Sequence, residues 1–195
     1  MQEVFKEFFK LLKERLIENN VYSNEDSIRY TFYYSLLLTN KIKHYKVILE
    51  YPYSESSYEK LDTLIVSEPN IAIEFKFTKK IPSGFNKPRT QVAGSIFKDI
   101  NKITTFNQDS ALRRIFVFLT DLEMAKYLNS PVNGFVSFFN LQINNSIIID
   151  SRFINTKAKT FYESVGKFTP VKLTCLFKED LQHEYFLRIY EISPL

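Results

Sequence analysis

Cysteine is nearly absent from this chain: Cys175 is alone among 195 residues. No intrachain disulfide and no multi-cysteine zinc site can form, and a lone thiol inside the apolar run KLTCLF reads as a small buried hydrophobe. Glycine is scarce as well, at four residues, which excludes long glycine-rich phosphate loops. The two histidines, His44 and His183, have no cysteine or histidine neighbour at ligand spacing, so a zinc or histidine-metal centre is not expected. No nucleophile elbow marks a Ser-His-Asp hydrolase. Repeats, low-complexity runs and long linkers are missing too, so residues 1–195 are expected to form a single domain. The opening stretch MQEVFKEFFKLLKERL carries a charge every third or fourth residue, which makes it an amphipathic helix rather than a leader or membrane span. The expectation is therefore a cytoplasmic protein with no membrane partner.

What remains is an aromatic-rich chain, with 19 Phe and 12 Tyr, that is 45% hydrophobic and 25% charged. Its net charge of +4, from 26 basic and 22 acidic residues, permits an anionic partner without requiring one. Helical spacing predicts a first helix over residues 2–20, with Phe5, Phe8, Phe9, Leu12 and Leu16 on one stripe. A second helix follows in EDSIRYTFYYSLLLTN, capped by Ser23 or Asn24, with Ser23 and Asp26 close to a capping-box pattern. Tyr30, Tyr33 and Tyr34 on it are read as packing residues. Strands are expected at 46–51, twice within 61–80, and at 114–120, the last almost wholly apolar and so central and covered on both sides. A helix begins near Thr90, and a short one follows in LEMAKYL. Later come an expected hairpin from GFVSFFNLQI and SIIIDSRF, a short helix over 156–166, and a closing hairpin from KLTCLFKE and HEYFLRIYEI. This order predicts an α/β fold: a mixed sheet with helices on its faces, the strands on either side of the Thr90 helix running parallel.

The chemistry concentrates in LDTLIVSEPNIAIEFKFTKK, residues 61–80. Two apolar strands are joined by a turn within 67–70, and Asp62, Glu74 and Lys76 interrupt them. Side chains alternate along a strand, so Glu74 and Lys76 share a face with Ala72, while Ile71, Ile73, Phe75 and Phe77 face a core. Asp62 joins the face of Glu74 only if the connecting loop has an odd length, about three or five residues, and that is the expected geometry. Two carboxylates on neighbouring strands suit a hard cation such as Mg²⁺, which takes a few carboxylates plus water and phosphate oxygens. The backbone carbonyl of Phe75 lies between them as a further ligand. An ammonium at Lys76 can orient a water, stabilise developing phosphate charge, or lose its proton and act as a base. The plainer alternative is a Glu74–Lys76 pair on the solvated face of a sheet edge, with Asp62 unrelated to it. Such a pair contributes at most about 1 kcal/mol.

Asp62, eleven residues, then Glu74-Phe75-Lys76 resembles the active-site signature of the PD-(D/E)XK nuclease superfamily, whose members have a restriction-endonuclease-like fold. The resemblance covers residues 20–120, with C-terminal strands over 132–195 completing or extending the sheet. It implies an αβα arrangement around a central mixed sheet and a Mg²⁺-dependent phosphodiesterase, with Mn²⁺ able to substitute. The implied partner is DNA and the implied mode endonucleolytic. A homodimer is compatible, since cutting both strands often uses two sites. In this frame Asp62, Glu74 and Glu25 hold metal together with the Phe75 carbonyl, and Lys76 activates water or stabilises charge. Glu25 in EDSIRY matches the family's helical glutamate, with Asp26 the alternative. Leu61 stands where the name-giving proline would be. Gln91 opens the next helix as a glutamine does in some branches, but Ser95 stands where one of those has a tyrosine.

Lys79, Lys80, Lys87, Arg89 and Gln91 follow the signature and are candidates to grip nucleic acid beside the cut, although charged loops are often simply solvated. Arg29, one turn after Glu25, is expected to pair with it. Glu50 and Glu59 are expected on the surface. The competing functional reading is a catalytically silent protein- or nucleic-acid-binding member of the same fold, in a defence or mobile-element system.

Overall fold

A computed structural model of the chain describes residues 1–53, 58–80, 87–106 and 111–195. Among these, seven strands form one mixed sheet in the order β1-β2-β3-β4-β7-β6-β5. They are β1 (Val47–Pro52), β2 (Lys60–Ile65), β3 (Ile71–Thr78), β4 (Arg113–Asp121), β5 (Ser146–Ile149), β6 (Val171–Leu181) and β7 (Tyr185–Pro194). β3 and β4 run parallel, as the intervening helix requires, and every other pairing is antiparallel.

Helices cover both faces. On one side lie α1 (Gln2–Lys13), extended by a π-helical turn at Glu14–Glu18, and α2 (Glu25–Leu38). Phe5, Phe8, Leu12, Phe32 and Leu36 from these helices meet Ile71, Ile73, Phe75, Ile115 and Val117 of the sheet. α3 (Arg89–Thr105), α4 (Leu122–Asn129), α5 (Val136–Phe139), α6 (Ser151–Asn155) and α7 (Lys159–Val165) cover the other face. Ile96, Phe97, Ile100 and Ile103 of α3 face Ala72, Phe116 and Phe118 there. α7 lies directly against α3 at Gly94, where an added Cβ would collide with the Ser164 side chain. The central strand β4 is buried from Ile115 through Thr120, as its unbroken apolar run implies. No helix among the described residues is long and apolar enough to cross a membrane.

Several expectations give way. GFVSFFNLQI is not a strand: Phe135, Phe138 and Phe139 are buried at helical spacing, and the turn they form is α5. The expected partner, β5, pairs with β6 instead. Its following residues form α6, capped by Asp150, whose carboxylate accepts from the Phe153 amide at 3.1 Å. The cap of α2 is Asn24, which exchanges bonds with Ser27, while Ser23 accepts from Arg15 at 2.8 Å. Tyr30 and Tyr34 are more than half exposed, at 54% and 52%, so they contribute less to packing than expected. Part of the basic loop after β3, residues 81–86, lies outside the described residues.

Candidate active site

β2 and β3 pair from Ile65↔Ile71 to Thr63↔Ile73 across a five-residue connection at 66–70. Continuing that odd-length register by one residue brings Asp62 across from Glu74, the relation the alternation argument requires. The regular ladder ends there. The Phe75 amide donates to Asp62 Oδ2 at 2.8 Å, and the next outward amide of β3, Phe77, donates to Glu25 Oε2 at 2.9 Å. Two carboxylates therefore close the edge that β2 leaves open, one from the departing strand and one from the first turn of α2. A strand residue's carbonyl points to the same side as its amide, so the Phe75 carbonyl faces this gap as well.

Glu74 lies on the α3 side of β3 with its side chain 4% exposed, and its Oε1 pairs with Lys102. Oε2 is buried with no hydrogen-bond partner. Lys76, two residues along the same face, pairs with Asp99 Oδ2 at 2.8 Å and lies 4.0 Å from Glu25 Oε2. Arg29 does not pair with Glu25. It bonds Asp26 at 2.6 Å and reaches Glu50 at 3.4 Å and Asp62 at 3.6 Å. The reason is direction: Glu25 is drawn toward the sheet by the Phe77 amide, leaving Asp26 to face Arg29 across one turn. Of the two helical acids, Glu25 is thus the one at the site. Glu50 is exposed as expected, yet it sits between Arg29 and Lys60.

Asp62, Glu74, Lys76 and Glu25 lie around this open stretch of β3, and the solvated-pair alternative fails because α3 covers that face, pairing with both Glu74 and Lys76 and leaving the Glu74 side chain 4% exposed. α3 adds two residues that the motif did not reveal. Asp99 and Lys102, one turn apart, capture Lys76 and Glu74 respectively. A signal existed: Val92, Ile96, Asp99 and Ile103 form one helical stripe, and a carboxylate in an apolar stripe needs a partner. Tyr53 joins from the end of β1, with Lys102 Nζ 5.5 Å from its ring centre.

The electrostatics are strained in one direction. Burial, reinforced by the charge of Asp62, pushes the Glu74 carboxyl up to about 8, against the pull of Lys102. Burial also raises Asp62, opposed by the Phe75 amide, and raises Glu25, opposed by Lys76. For Lys76, burial pulls the ammonium down, but Asp99 and Glu25 outweigh it and leave it above the ordinary lysine value. These carboxylates are held where their negative charge is poorly compensated.

A hard divalent cation would have to draw on the oxygen atoms gathered here. Asp62, Glu74 and the Phe75 carbonyl, with Glu25 at the rim, offer oxygen ligands, and Glu74 Oε2 is a buried acceptor with no partner. Among the described residues no group of three or more acidic, histidine or cysteine side chains is placed to hold a metal ion by itself. Water and substrate oxygens would complete the coordination, the pattern Mg²⁺ favours.

The basic candidates divide. Lys80 and Arg89 both bind Glu123, at 3.1 and 2.8 Å, and the Lys80 amide bonds Asp121 at 2.8 Å. Lys79 lies over the rings of Tyr22 and Tyr185, at 5.7 and 5.8 Å. Lys87 and Gln91 are exposed beside the first turn of α3. No family model, no curated protein and no solved structure matches this chain.

Proposed function

We propose that this chain is a Mg²⁺-dependent nuclease of restriction-endonuclease-like fold that hydrolyses phosphodiester bonds in DNA, as an endonuclease. The observation that carries the reading is Glu74: a buried carboxylate beneath α3, one residue past the last paired position of β2 and β3, with one oxygen lacking any partner. A structural acid in such a place would be fully bonded. When bound, the metal supplies Lewis-acid stabilisation of the phosphate and lowers the pKa of a coordinated water. Asp62, Glu74, Glu25 and the Phe75 carbonyl would hold it. Lys76 is kept protonated by Asp99 and Glu25, which favours charge stabilisation and water orientation over a role as base. Asp99 is then a positioning residue that fixes the ammonium toward the scissile phosphate.

Plasmid nicking with Mg²⁺ or Mn²⁺, against an EDTA control, tests this. Lys76→Ala is expected to lower the rate by about 10²–10³-fold. Equal background from the wild type and Lys76→Ala removes catalysis as an explanation.

One observation favours a second reading. Glu74 and Lys76 are each already paired with a countercharge from α3, so the site can stand neutralised without metal. A catalytically silent binding member of the same fold would look like this. It is expected to give no heat on titration with Mn²⁺ and to retain a stable partner in a pull-down.

A further inference from the structure

Lys76 also lines a cleft of about 550 Å³ that opens between the end of β3, the start of α3 and the start of α4. That volume is in the range of small-molecule sites. Val92 and Met124, from the core on the α3 side, give it an apolar floor, and Phe77 of β3 borders it. Its rim is cationic, and the cations are not equivalent. Glu123 engages Lys80 and Arg89, whereas Lys79 and Lys87 have no carboxylate partner among the described residues. On the far side of Lys79 stands Tyr22, 77% exposed, its ring 5.7 Å from the ammonium. Cations without a carboxylate partner among the described residues, beside an apolar floor and followed by an exposed aromatic ring, match the recognition of single strands, whose backbone follows positive charge while bases stack on rings. A paired duplex offers no base to such a floor unless the base leaves the stack.

We infer that this cleft and Tyr22 form a track for single-stranded nucleic acid. It seats the base next to the scissile phosphate over Val92 and Met124, and the adjoining phosphates on Lys79 and Lys87. The inference takes its substrate class from the nuclease reading and narrows it to an unpaired strand.

Fluorescence anisotropy in EDTA, where no cleavage occurs, tests the track with labelled oligo-dT, oligo-U and a duplex, each of about ten nucleotides. At least one single strand is expected to bind about tenfold or more tighter than the duplex, and the two single-strand arms separate DNA from RNA. Tyr22→Ala is expected to weaken that binding by about 5- to 20-fold through loss of one stacked base. Lys87→Glu is expected to weaken it and to flatten its salt dependence. Both side chains are exposed, so neither change threatens folding. A duplex bound as tightly as the single strands, or unchanged affinity in both variants, overturns the track. A protein that binds the oligonucleotide through Tyr22 yet with Mg²⁺ cleaves neither plasmid nor the single strand it binds loses only the nuclease reading. One that nicks but does not discriminate strands loses only the track.

Discussion

Two regions of this sheet bury charge, and they treat it in opposite ways. On β7, Arg188 is 2% exposed and well bonded. Its Nε donates to the Phe139 carbonyl at 3.1 Å, and Nη1 meets the carbonyls of Glu179 and Leu187 and the carboxylate of Asp180, at 3.0, 2.9 and 2.9 Å. The guanidinium also lies 4.7 Å from the centre of the Phe139 ring. None of its atoms is buried without a partner. Around Glu74 the opposite holds. Three of the four buried, unpartnered side-chain atoms among the described residues are Arg29 Nε, Tyr53 Oη and Glu74 Oε2, all on residues of the site or touching it. A buried ion that serves the fold is satisfied from every side. A cluster left short of partners, its carboxylates raised together, reads as a site built to receive something.

That contrast can be broken at either end. The largest effect on stability is expected at the satisfied end. Arg188→Met keeps an apolar stem between the Phe139 and Phe186 rings but strands the Phe139 carbonyl, at a cost of about 2–4 kcal/mol. For a chain of this size that lowers Tm by roughly 5–15 °C. Thermal melts check it, and nicking per folded molecule is expected to persist because Arg188 touches no site residue. A loss of cleavage without a loss of Tm would invert the assignment of the two regions.

At the other end, Lys102 acts as a protein-borne cation on Glu74. Lys102→Met removes the competing charge and is expected to raise Mn²⁺ affinity by at least about tenfold, read by calorimetry. Unchanged affinity would mean that Lys102 and the metal do not contest the same carboxylate. Weaker affinity would mean that Lys102 holds Glu74 in a binding position rather than blocking it.

Local patterning made much of this legible. Asp62, Glu74 and Lys76 were readable because strand alternation and an odd connection constrain which side chains meet, and the five-residue loop satisfies that constraint. β4 was readable from its unbroken apolar run. The run GFVSFFNLQI misled because Phe135, Phe138 and Phe139 read as a β-rich segment when only their apolar content is weighed, whereas their spacing is that of a helix turn. Asp99 and Lys102 stayed hidden for a different reason. Their partners lie 23 and 28 residues away in the chain, so the apolar stripe around Asp99 shows that it needs a partner but not that the partner is Lys76 of β3. Arg29 went to Asp26, not Glu25, because a backbone amide of β3 competed for Glu25, and no spacing rule within a helix contains that competitor.

The smallest expected effect tests the electrostatic half of the contrast directly. Glu74, pushed up to about 8 from an ordinary 4.5, keeps its proton in the folded protein over a pH range in which the unfolded chain has lost it. The folded state then binds more protons than the unfolded one, so stability must fall as pH rises from about 4.5 to about 8. Asp62 and Glu25, also raised, act in the same direction. Glu74→Gln keeps the shape and cannot ionise. In EDTA, melts at pH 5.5 and pH 8 are expected to show a decline for the wild type that exceeds the variant's by several degrees. Mg²⁺ at pH 8 is expected to recover that difference in the wild type and not in Glu74→Gln, because only an ionised Glu74 rewards the cation. Arg188→Met serves as the control, with a lower Tm throughout but the wild-type slope. Parallel curves for wild type and Glu74→Gln would mean that the unpartnered Oε2 carries no electrostatic burden, and the distinction between the two buried charges would then rest on geometry alone.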